Sequence, residues 1–67
     1  MKNNIRVARA EIRMTQQQLA DAAGVSRQTI NAIESGKFVP STLLALKIAR
    51  IFGKSVENLF VLEDEDM

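Results

Sequence analysis

Twenty residues, Thr15 to Glu34 (TQQQLADAAGVSRQTINAIE), constrain this chain more than any other stretch. Thr15 followed by Gln18 is a capping box: the Thr hydroxyl accepts from the backbone three residues on, and the Gln side chain reaches back. Met14 and Leu19 take the flanking staple positions. Leu19, Ala20 and Ala23 then fall on one helical face. Gly24 stops that helix, since the residue after a helix often takes the left-handed conformation glycine adopts at least cost. Ser26 caps a second helix, with Val25 and Ile30 as its staple and Ile30 and Ile33 facing inward. Two short helices across the turn Gly24-Val25-Ser26 must cross sharply, the spacing of a helix-turn-helix.

Arg27, Gln28, Thr29, Asn31 and Ala32 lie off the Ile30/Ile33 face of the second helix. In a helix-turn-helix that end enters the major groove of DNA. Arg pairs bidentately with guanine, Gln with adenine, and Thr or Ala meets a thymine methyl. No acid stands in this first turn, and the helix dipole favours a nearby phosphate. Taken singly, each of these residues is ordinary solvated helix surface. Their order after this turn is what makes them candidates for base contact.

With those residues in view, the chain resembles the lambda repressor and Cro-like family, also called the XRE family. The pattern T-Q-x-x-L-A, G-V-S, T-I-x-x-I-E-x-G and then P is complete in TQQQLADAAGVSRQTINAIESGKFVP, and the likeness runs from about Ile5 to Phe60. The resemblance implies an all-α, compact five-helix DNA-binding domain over residues 1–62, with the helix-turn-helix at about 15–35 and an acidic tail at 63–67. It implies phosphate contacts by Gln16 and, more weakly, Gln17, base reading by Arg27, Gln28 and Thr29, and a backbone grip by Lys37. It also implies that Arg9 and Glu34 form an internal ion pair, which makes Arg9 structural. An acid at position 34 would oppose phosphate if it faced the duplex.

Composition narrows the alternatives. At 67 residues the chain is one domain with a modest core. Lacking both His and Cys, it has no disulfide, no thiolate ligand and no imidazole base. No nucleophile has a base partner, so an enzyme is not expected, nor a cofactor, metal or small-molecule ligand. The opening MKNNIRVARAEIR has no apolar run to serve as a signal peptide, and no stretch approaches the roughly 20 apolar residues of a membrane span, which fits a cytoplasmic protein. The net charge of +1 hides an asymmetry. Residues 1–54 hold all nine Lys and Arg against Glu11, Asp21 and Glu34, a net +6, while residues 55–67 hold five acids and no base. The basic part coincides with the helix-turn-helix.

The remaining segments read as scaffold. A first helix is expected over Ile5–Arg13, capped by Asn3 or Asn4, with Ile5, Ala8 and Ile12 buried. Gly36 closes the second helix of the pair, and Phe38 or Val39 folds back on the core. Pro40-Ser41 begins a fourth helix burying Leu44, Ala45, Ile48, Ala49 and Phe52. Gly53 ends it, and Ser55 caps a short fifth helix that turns Val56 and Leu59 inward. Leu43 and Leu46 stand off that stripe, and Phe60, Val61 and Leu62 follow the last helix. Apolar residues beyond the needs of one small core suggest a homodimer interface from the fifth helix to Leu62. Val61-Leu62 is then either a short strand pairing across the dimer or an apolar end packed on the fourth helix. Two functions stay open: a transcriptional regulator, as a repressor on a palindromic operator of double-stranded DNA, or a protein-interaction module such as an antitoxin or coactivator with secondary DNA contact. The short tail, Glu63 to Met67, leaves little room for a toxin-binding segment.

Overall fold

A computed structural model describes residues 1–67 as five α-helices and one two-stranded antiparallel ribbon. In chain order these are β1 (Lys2–Asn3), α1 (Ile5–Glu11), α2 (Gln16–Ala23), α3 (Arg27–Glu34), α4 (Thr42–Phe52), α5 (Val56–Leu59) and β2 (Phe60–Val61), followed by a 3-10 turn (Asp64–Asp66). Thirteen apolar residues form one core and no polar residue is fully buried. Ile5, Leu19, Ile30, Ile33, Ile48 and Leu59 are its sealed centre, so every helix contributes at least one.

The capping chemistry works as the sequence implies. Thr15 and Gln18 exchange both hydrogen bonds of the capping box, and the hydroxyls of Ser26, Ser41 and Ser55 each accept from the backbone three residues on. Four helices end alike, with an amide two or three residues past the end reaching back to a carbonyl five residues earlier: Met14 to Arg9, Val25 to Ala20, Lys37 to Ala32, Lys54 to Ala49. Three of these ends place Gly24, Gly36 and Gly53 in the left-handed region. The fourth places Arg13 there, at φ 53°.

Arg13 in that conformation accompanies an early end to α1. The first helix stops at Glu11 rather than Arg13, and Ile12, expected in the buried stripe, is 53% exposed because the chain has already turned away. The start of α1 also differs in detail. Asn4 is the N-cap, yet the Asn3 carboxamide accepts from the Ile5 amide and donates to the Ile33 carbonyl at 2.8 Å.

Further residues depart from expectation. Phe38 and Val39 do not fold back. Both are exposed, because the Lys37 and Phe38 amides are held on the Ala32 carbonyl at the end of α3. Phe52 is half-buried rather than sealed. The C-terminal strand exists but occupies Phe60–Val61 and pairs with this chain's own Lys2–Asn3. The Asn4 amide continues that pairing to the Leu59 carbonyl at 2.8 Å. Phe60 therefore belongs to the core of its own chain and presents no free side chain, while Val61 and Leu62 remain exposed. The acidic segment is folded back as well: Glu63 and Asp66 each lie 3.1 Å from the Met1 amino group.

Candidate nucleic-acid interface

Helices α2 and α3 pack across the Gly24 turn through Leu19, Ala20, Ala23, Ile30 and Ile33. Burial of that side fixes which residues of α3 face outward. Arg27, Gln28 and Asn31 are exposed and make no side-chain hydrogen bond, so their donors and acceptors are open to a ligand. Thr29 is half-buried, and its hydroxyl lies 3.0 Å from the Ser26 hydroxyl in the cap. Its methyl group takes no part in that bond. Ala32 is half-buried too, and its carbonyl accepts from the Ser35 hydroxyl and the Lys37 and Phe38 amides.

The far end of α3 is organised around one carboxylate. The Glu34 side chain is 1% exposed. Arg9 on α1 grips it with two hydrogen bonds, Nε to Oε2 at 2.6 Å and a terminal guanidinium nitrogen to Oε1 at 3.0 Å, and donates a third to the Met14 carbonyl at 2.9 Å. Gln16, the first residue of α2, donates to Glu34 Oε1 at 3.3 Å, and Arg6 Nε stands 3.7 Å from the same oxygen. Burial alone would raise the Glu34 pKa. Hydrogen bonds from Arg9 and Gln16 and the charges of Arg9 and Arg6 outweigh it and hold the carboxyl below its ordinary value. The hydrogen bond to Glu34 correspondingly raises the Arg9 pKa against the opposing effect of desolvation.

This places each anticipated residue. Arg9 and Glu34 form the internal pair. Gln16 is not a free surface side chain: one N–H is committed to Glu34, leaving a second N–H and its carbonyl. Gln17 is exposed and bonded to Asp21 at 2.9 Å along α2. Lys37, three residues past Glu34, is exposed and unpaired. Sequence reading missed Arg6, although its spacing of three from Arg9 puts both on one face of α1. No group of three His, Cys, Asp or Glu side chains converges as a metal site, and no helix is long and apolar enough to cross a membrane.

A capped helix pair across a glycine turn, with an open polar edge on the second helix, defines a helix-turn-helix DNA-binding domain. A family model described as helix-turn-helix matches residues 5–59, and the chain belongs to this XRE-type helix-turn-helix family of transcriptional regulators. It is 52% identical over 66 residues to an uncharacterized HTH-type transcriptional regulator of Methanocaldococcus jannaschii, covering 98% of this chain and 100% of that one. It is 48% identical to one from Archaeoglobus fulgidus, covering 100% and 96%, and 47% identical to the Bacillus subtilis regulator YgzD, covering 98% and 100%.

Proposed function

We propose that this protein is a cytoplasmic repressor that reads a palindromic operator as a homodimer, with α3 in the major groove. The observation that carries the reading is the edge formed by Arg27, Gln28 and Asn31, exposed and without partners at the start of a rigidly packed helix. Arg27 reads guanine, Gln28 and Asn31 read adenine, and Thr29 and Ala32 supply methyl contacts to thymine. Gln16, Gln17 and Lys37 hold phosphates and set the register. Repression needs no chemistry beyond occupancy of a promoter.

The dimer is supported by Val61 and Leu62, exposed on the ribbon side, 42% and 66% respectively, and by Leu43 and Leu46 on α4. Each copy measures 32 × 21 × 20 Å, so two side by side can set their α3 helices about 34 Å apart, one turn of duplex. The test is selection of bound duplexes from a random pool at near-physiological salt. An enriched inverted repeat with half-sites one turn apart supports the reading. Recovery of unenriched DNA refutes sequence reading and directs the search to protein partners.

A further inference from the structure

Arg6 is the one charged residue of the Glu34 cluster that the operator reading leaves without a task. Its side chain is 76% exposed, whereas Glu34 is 1% and Arg9 15% exposed. The charge of Glu34 is already answered by Arg9, which binds both its oxygens. Arg6 therefore carries an uncompensated positive charge. Glu34 is the sole acid within ion-pair distance of it, and the contact is long: 3.7 Å, through Nε alone, beyond hydrogen-bond range. The carboxylate orients Arg6 without consuming it, and the outer fork of the guanidinium stays open. Gln16 hangs on the same oxygen at 3.3 Å with a second N–H to spare, at the first residue of α2. Two donors gathered around one buried oxygen at a helix start form a geometry suited to the oxygens of a phosphodiester.

We propose that Arg6 is a DNA-phosphate contact, acting beside Gln16, with Glu34 as the positioning residue that hydrogen-bonds Gln16 and attracts Arg6 by its charge. The assignment rests on the operator reading above. It extends the protein's grip on the duplex from α2 and α3 to α1, at the end of α3 opposite the base-reading edge. A phosphate there meets a guanidinium fork and a carboxamide, while the buried Glu34 carboxylate is screened from it by Arg9 and Gln16.

The experiment measures affinity for the selected operator across a salt series, for the unaltered chain and for Arg6→Ala, Arg6→Lys and Arg50→Ala. Arg50 is an exposed base on α4 and removes the same charge from another surface. Arg6→Ala is expected to weaken binding about 3- to 10-fold and to lower the slope of log K against log salt by about one. Arg6→Lys should recover the slope, Arg50→Ala should change it by clearly less, and Tm should stay level in all. A slope for Arg6→Ala equal to that of the unaltered chain or of Arg50→Ala overturns the assignment. So does weaker binding accompanied by a fall in Tm, which would make Arg6 structural. If the unaltered chain enriches no sequence and binds no duplex, the operator reading itself fails and this assignment falls with it.

Discussion

Arg9 and Glu34, twenty-five residues apart, are joined by two hydrogen bonds that bolt α1 to the end of α3. Removing one partner leaves the other charged in a largely closed site, whereas replacing both with apolar groups of similar size does not. Glu34→Ala is expected to cost about 3 kcal/mol, the low end for a buried pair because Arg9 keeps some contact with water. The double change Arg9→Met, Glu34→Leu should restore most of that loss in urea unfolding. A double-variant cost equal to the sum of the two single-variant costs would show that the pair is not coupled.

The same carboxyl sets an acid limit. Its folded pKa lies below the ordinary 4.5, so the unfolded chain takes up the proton first as pH falls. Its stabilisation is full above about 4.5 and is lost as pH drops from there through the folded value. The urea midpoint should therefore decline below pH 4.5 in the natural chain and decline less in Glu34→Gln. At the alkaline side, hydrogen bonds to Asp66 and Glu63 raise the Met1 amino group above its ordinary 8.0. Its contribution is present below 8 and fades as pH rises through the raised value.

Arg13 stands where α2, α3 and α4 have glycine. A side chain in the left-handed region costs roughly 1–2 kcal/mol, part of which glycine gives back as unfolded-state entropy. Arg13→Gly should raise stability by about 0.5–1 kcal/mol, read as a shift in urea midpoint with an unchanged m-value. Arg13→Val, β-branched at φ 53°, should lower it.

If Gln28 reads a base and Lys37 holds a phosphate, as proposed, their substitutions give different phenotypes. Gln28→Ala should relax choice at one base position by roughly 1–3 kcal/mol, whereas Lys37→Ala should weaken all sequences alike and flatten the salt slope by about one unit. Selection profiles and salt titrations separate the two. An unchanged preferred sequence for Gln28→Ala would remove it from the reading edge.

If Val61 and Leu62 form the dimer face, Leu62→Asp should give a monomer by light scattering and lose affinity for the two-half-site duplex, with the single-copy fold intact because Leu62 is 66% exposed. A dimer that persists would move the interface elsewhere.

Much of this architecture was legible because it rests on local rules. The Thr15/Gln18 box, the serine caps, Gly24 and the apolar spacing of α2, α3 and α4 involve residues within a turn or two of one another. The errors share a different origin. Ile12 was misplaced because a helix end normally marked by glycine is occupied here by Arg13. Phe60 was assigned outward because its burial depends on pairing with Asn3, fifty-seven positions away, which a two-residue strand does not announce. Arg6 escaped notice for a like reason: its neighbour Glu34 lies on another helix, and only folding shows that Arg9 leaves it a charge to spare.

The pairing of Lys2 with Val61 has a kinetic consequence. The caps and the α2–α3 crossing can form from short segments, but the ribbon closes a loop of nearly the whole chain, whose entropy must be met before its few hydrogen bonds give anything back. Substitutions at Asn3 or Phe60 should therefore act mostly on the unfolding rate, and those at Leu19 or Ile30 on the folding rate. The Lys2–Asn3 and Phe60–Val61 strands are thus expected to behave as a latch that engages after α2 and α3 have packed and sets how long the domain stays shut.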